Sequence, residues 1–227
     1  MCFSATASLV AGVATSGIGV ATIKNARSKR EIPLASIPLL FGIQQLIEGV
    51  IWVSFGMPLF NTVLTYIYVF YSHIWWPFFI PLAIFLVEDQ KIRKKVLFFY
   101  MIVGICVGLY FTVNTLLGPV SSSIIQNSIG YTCNYYNLEI VLLLYMLATC
   151  ICCFISSHRT IQLFGFLVFI AAIFTYQFYI TVFTSVWCFF SAALSVILFL
   201  HFKDELRIND RFNTFIEKMK KRFNVFE

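Results

Sequence analysis

Apolar residues run through this chain in long stretches broken by short polar punctuation. Seven stretches stand out, over residues 3–23, 33–55, 59–87, 96–117, 138–157, 161–183 and 184–202. Each comes near or exceeds the ~20 residues a helix needs to cross a bilayer. The pattern predicts an all-α membrane protein, a seven-transmembrane-helix bundle over residues 1–203. The sixth and seventh stretches are nearly fused, and "TVFTSVW" supplies only a few small polar residues for a turn between them. Residues 204–227 differ in kind. Leu206, Phe212, Phe215, Ile216, Met219 and Phe223 recur at helical spacing with Arg and Lys between them. That predicts a basic, amphipathic helix lying on an anionic membrane surface.

Charge placement fixes an expected orientation. "KNARSKR", "EDQKIRKK", "SSHRT" and "HFKDELR" follow the first, third, fifth and seventh stretches, and the alternate connections carry no Lys or Arg. Positive residues collect on the cytoplasmic side, so the N-terminus is expected outside and the C-terminus inside. An even number of crossings would spoil this alternation. A cleavable signal peptide has its positive charges ahead of its apolar core. Here they follow it, so the first stretch reads as a retained helix. Its Gly12 and Ser16 would let a neighbouring helix approach closely.

Composition agrees with a membrane protein. Of 227 residues, 60% are hydrophobic and 11% charged, against about 25% charged in a soluble domain. The formal net charge of +6 is spread over the helix connections, so it points to topology and the lipid bilayer as partner, not to nucleic acid. Most of the seven cysteines lie in apolar stretches, where cysteine packs as a small hydrophobe. "CICC" at 150–153 has no companion histidines and sits within an expected helix. Cys2 and Cys133 are both expected outside, where a disulfide could form if they are close enough.

An ionisable side chain at membrane depth is expensive and marks a candidate site. Glu48, in "FGIQQLIEGVIW", shares a helix face with Gln44, Gln45 and Trp52. His73 falls near the middle of the third stretch. Asn114, Glu139, Tyr176, Gln177 and Trp187 fall in the expected outer halves of their helices, as do Cys2, Ser4, Thr6 and Ser8. The inner halves are more uniformly apolar. This asymmetry predicts a polar, outward-facing cavity centred on Glu48. With no outer Lys or Arg, Glu48 is either protonated, paired with His73, or met by a cation from outside. Interhelical hydrogen bonding is the plain alternative for Asn114, Gln177 and the hydroxyls. Pro77 and Pro81 in "IWWPFFIPLAIF" would free backbone carbonyls, tolerated where a neighbour or cavity satisfies them.

The expected function is a receptor, binding protein or carrier for a small, cationic or amine-bearing ligand. The alternatives are a membrane-embedded, hydrolase-like enzyme using Glu48, His73 and Cys2, or a structural subunit of a membrane complex or homo-oligomer. Cys2, Glu48 and His73 are the candidate metal ligands, short of the set that zinc generally wants. The cofactor is left open, except that no Lys in the seventh stretch can hold a retinal. No inverted repeat marks a secondary transporter.

"MCFSATASLVAGV", "PLLFGIQQLIEGVIW", "WPFFIPLAIFLVE" and "SVWCFFSAALS" together resemble an uncharacterised family of bacterial membrane proteins that begin Met-Cys-Phe-Ser-Ala. The resemblance runs over most of the chain. It implies a multi-pass protein of the bacterial inner membrane and carries no catalytic residues with it.

Overall fold

The computed structural model describes residues 4–125 and 127–203. Cys2 and the amphipathic tail lie outside the described residues. Seven helical segments are long and apolar enough to cross a membrane: Ala5–Lys24, Ile32–Ser54, Pro58–Val87, Lys91–Leu117, Leu138–Ile155, Arg159–Phe178 and Ile180–Lys203.

Helix α1 (Ala5–Lys24) opens on Ser4, whose hydroxyl accepts from the Ala7 amide at 3.2 Å. This is ordinary N-capping, satisfying one of the free amides of the first turn. Its buried residues are Ser8, Gly12, Thr15, Gly19 and Thr22, a stripe of small side chains on one face. They let α1 lie close along α2 (Ile32–Ser54), its main neighbour. A methyl group at Gly19 would overlap the Leu39 backbone. The expected close approach at Gly12 is therefore met, with α2 as the neighbour.

The third crossing is not one regular helix. α3 (Pro58–Val69) runs into a π-helical stretch, Phe70–Trp75, and then α4 (Trp76–Val87). Pro77 is the cause. Its ring nitrogen cannot donate to a carbonyl of the preceding turn, and a wider turn carries the chain past it, with the Trp76 amide reaching back to the Tyr71 carbonyl. In a π pattern the Ser72 carbonyl would take its hydrogen bond from residue 77, a proline. Tyr145, on another helix, supplies the missing donor: its hydroxyl lies 2.6 Å from the Ser72 oxygen. The freed carbonyl expected from the sequence is thus satisfied by a neighbouring helix.

Helix α5 (Lys91–Leu117) starts five residues before the apolar stretch does. Lys91, Arg93, Lys94 and Lys95 form its first turns and continue the helix beyond the apolar band. It packs tightly on α4, where a methyl group at Gly104 would overlap the Pro77 carbonyl.

The next connection holds an element absent from the hydrophobic pattern, a β-hairpin. Strand β1 (Ser121–Ile125) pairs antiparallel with β2 (Ser128–Thr132), with Ile125 opposite Ser128 and Ser121 opposite Thr132. The register leaves a two-residue turn, and Asn127 takes the positive φ of 58° that such turns require. The hairpin folds back on the bundle. Ile129 is buried with Ile51, Tyr68 and Cys188. The Ser122 hydroxyl donates to Asn61 Oδ1 at 2.9 Å, and Asn61 Nδ2 donates to Ser54 Oγ at 3.0 Å. This chain stitches β1 to the turn between α2 and α3.

Helix α6 (Leu138–Thr149) ends in a tighter 3₁₀ stretch, Ile151–Ile155, not in the continuous helix expected through "CICC". Cys150, Cys152 and Cys153 are all buried, and the Cys152 thiol donates to the Ala148 carbonyl at 2.8 Å. They pack as core. α7 (Arg159–Phe178) is followed by a one-turn 3₁₀ helix, Ile180–Val182, and α8 (Phe183–Leu194), which continues after a turn at Ser195 through residues 196–203. The break between the last two crossings therefore falls at residues 179–182, about a turn earlier than the sequence suggests.

The bundle has two unlike ends. The basic end carries connections 25–31, 88–90 and 156–158, and every described Lys and Arg sits there. The hairpin end carries connections 55–57, 118–137 and 179–182 and holds no Lys or Arg.

Candidate functional site

A cavity of about 890 Å³ opens at the hairpin end, walled by α5, α6, α7, α8 and the π-helical stretch, and roofed by β2 with the chain that follows it. Its lining is mainly apolar and aromatic. Four residues singled out from the sequence line it: His73, Glu139, Tyr176 and Trp187. Glu139 stands in the first turn of α6, where a helix N-terminus favours negative charge. It is exposed and is the acidic residue among the described lining, which includes no Lys or Arg.

His73 is held by the π-helical stretch. Its Nδ1 lies 2.7 Å from the Ser72 hydroxyl, and its ring meets Phe111 and Tyr135 at centroid distances of 5.0 and 5.4 Å. The imidazole's polar partners are the Ser72 hydroxyl and the Val69 backbone, and its ring neighbours come from α5 and the roof.

Glu48 lies one layer behind the cavity wall. It has no exposed surface, and neither do Gln44 and Gln45. Tyr131 of the hairpin donates its hydroxyl to Glu48 Oε1 at 3.3 Å. The Tyr131 ring is stacked on Tyr68 at 4.4 Å. Gln44 accepts a 2.7 Å hydrogen bond from the Trp76 indole, and Phe41 stacks on that indole at 3.9 Å. The Cys188 thiol is within hydrogen-bonding reach of Gln44 and Tyr68. Tyr131 and Cys188 also line the cavity. They form the partition between the carboxylate layer and the open space.

The roof continues through Cys133 and Tyr135. Burial pushes both the thiol and the phenol above their ordinary pKa values, and for Tyr135 the neighbouring Cys133 adds to the effect. Both groups are therefore neutral hydrogen-bonding groups at neutral pH, and Tyr135 lies 3.5 Å from the Thr115 hydroxyl.

The remaining candidates stand apart. Asn114 donates to the Tyr110 carbonyl of its own helix at 2.8 Å, and Gln177 is exposed. Neither lines the cavity. Ser4 and Thr6 are exposed, while Ser8 is buried on the α1 stripe. Among the described residues, no three His, Cys, Asp or Glu side chains converge as a metal-binding group.

The sequence pattern does not single out two aromatic residues of "GYTCNYYN" that line the cavity, Tyr131 and Tyr135. Their cue was an aromatic cluster between turn residues in a connection otherwise poor in large side chains. It also missed Glu88 at the basic end. This carboxylate accepts from the Ser157 amide at 2.7 Å, from the Ser157 hydroxyl at 3.0 Å and from the Gln90 amide at 3.0 Å. Burial opposes its ionisation, but these donors and the Arg93 charge outweigh burial and hold its carboxyl below the ordinary value.

No curated protein and no solved structure matches this chain. A family model does, over residues 1–211. The chain thus belongs to a family of unknown function (DUF6629).

Proposed function

We propose that this is a multi-pass cell-membrane protein that binds, senses or carries a small cationic or amine-bearing ligand in the hairpin-end cavity. The N-terminus and the hairpin end face outside, and the basic end faces the cytoplasm, following the rule that positive residues stay inside. The observation that carries this reading is the lining itself. A roomy space walled by Tyr131, Tyr135, Tyr176 and Trp187 has Glu139 at its edge and no described Lys or Arg. Aromatic faces attract a cation, a carboxylate adds to that attraction, and the volume lies within the 300–1,000 Å³ range of small-molecule sites. Glu48 acts through the partition, since Tyr131, held by its hydrogen bond to Glu48 and its stack on Tyr68, also lines the cavity.

The test is ligand-linked stabilisation, because a molecule that binds only the folded state raises its unfolding temperature. Benzyltrimethylammonium is expected to stabilise the purified protein, benzyl alcohol is not, and Glu139→Gln is expected to weaken the response. Equal shifts from the charged and neutral probes, or none from either, would refute the reading.

One observation favours a second reading, a membrane-embedded hydrolase-like enzyme. Ser72 and His73 lie side by side in the cavity wall at 2.7 Å, and a hydroxyl beside an imidazole is the usual pairing of nucleophile and base. π-helical turns recur at functional sites. Labelling of Ser72 by a fluorophosphonate, lost in His73→Gln, would support it, and an unlabelled Ser72 would remove it.

A further inference from the structure

The walls of the cavity are uneven. α6 packs against α4 and α5, whereas α7 packs against α8 and against the 3₁₀ stretch that follows α6. The two helices are thus joined at the basic end and part toward the hairpin. Several residues that line the cavity between them are also strongly exposed. Leu143 on α6 is 63% exposed and Ile173 on α7 is 53% exposed. Leu143 lies five residues inside the start of α6, and Ile173 five residues before the end of α7. At 1.5 Å of rise per residue, both sit about 7 Å below the helix ends, at a level where the outer surface of a transmembrane bundle meets lipid.

We infer that the gap between α6 and α7 is a lateral portal, and that the ligand is a single-chain amphiphile with an amine or quaternary ammonium head, entering from the bilayer. This rests on the reading of the cavity as a cation site and specifies its ligand class. Leu142, Leu143, Met146, Phe169 and Ile173 form an apolar flank suited to one alkyl chain. Glu139 and the roof tyrosines receive the head. The volume of about 890 Å³ suits one tail, since sites for a single small ligand reach about 1,000 Å³. A water-soluble ligand would have no use for an opening on the lipid-facing side.

Photolabelling in lipid nanodiscs tests this. The probes are a hexadecyltrimethylammonium carrying a diazirine in its chain, a fatty acid with the same chain and diazirine, and a two-tailed phosphatidylcholine with a diazirine. The ammonium probe is expected to label Met146 and Phe169, inside the cavity, in excess over Val10 and Val13, which are exposed on α1. The other two are expected to label the outer surfaces only. Equal cavity labelling by the fatty acid overturns the head assignment, and cavity labelling by the two-tailed lipid overturns the single chain. In Leu143→Trp/Ile173→Trp the gap is narrowed at two exposed positions, and an unfolding curve like that of the wild type checks that the double variant folds. Cavity labelling is expected to be lost there while α1 labelling stays, and persistence overturns lateral entry. Labelling of outer surfaces alone, alongside stabilisation by benzyltrimethylammonium, would sink the portal and leave the cation site standing. Failure of both would sink the two together.

Discussion

Two buried glutamates, one at each end of the bundle, show opposite uses of the same side chain. Glu88 closes the basic end. It spans the turn between α4 and α5 and the turn before α7, and amide, hydroxyl and guanidinium groups stabilise its charge. Glu48 sits at the end without Lys or Arg, next to a cavity, bonded to a tyrosine that is itself part of the cavity wall. A carboxylate surrounded by donors from two connections is a clamp. One whose described donor fronts an open space is placed to influence what fills that space. The difference teaches that burial alone does not mark function; what the carboxylate faces does.

The largest expected effect is on the clamp. Glu88→Ala leaves the exposed Ser157 and Gln90 without the buried carboxylate that their amides donate to. Loss of hydrogen bonds to a charged group puts the cost at roughly 1.5–3 kcal/mol, to be read from unfolding of the purified protein, and a cost near zero would show that the clamp is ornamental. The same contact sets a pH dependence. Because the folded carboxyl titrates below its ordinary value of 4.5, its contribution is fully present above that value and is lost as pH falls through the depressed one. Acidification from neutral pH to below 4.5 is expected to destabilise wild type more than Glu88→Gln. Parallel curves would assign acid sensitivity elsewhere.

Glu48→Gln is expected to cost less, about 1 kcal/mol, since the amide oxygen can still accept from Tyr131. Its main consequence should be a weaker response to benzyltrimethylammonium. If Glu48→Gln instead matches Glu88→Ala in stability and leaves the ligand response intact, the two carboxylates are alike and the contrast is wrong. The smallest effect is expected from Tyr131→Phe, which keeps the stack on Tyr68 and loses one long hydrogen bond of 3.3 Å, at about 0.5 kcal/mol. Its unfolding curve measured beside that of Tyr131→Ala separates hydrogen bond from stack.

The seven crossings were legible because apolar run length and placement of charge are local properties of the chain. So was the presence of Glu48, His73, Glu139, Tyr176 and Trp187 as polar or amphipathic groups on apolar helices. The hairpin was not, because two five-residue strands in "SSSII" and "SIGYT" show no alternation strong enough to compete with the flanking helices. Only Asn127 hints at its turn. Glu88 reads as one more charge in "EDQKIRKK", and its partner Ser157 is 69 residues away. The layer between Glu48 and the cavity depends on where the hairpin lands, and the cavity itself on how α6 and α7 diverge. Both are tertiary facts with no local signature. Asn114 and Gln177 were grouped with the site because they share its depth, but depth is not direction: one bonds its own helix and the other points outward.

The most direct measurement is an experimental structure of the full chain in nanodiscs with benzyltrimethylammonium present. Density for the probe within the cavity, its ammonium beside Glu139 and the roof residues Tyr131 and Tyr135, is the expected result. A cavity filled only by repacked side chains, with the probe absent or bound at the basic end, would contradict the assignment of the hairpin end as the ligand site.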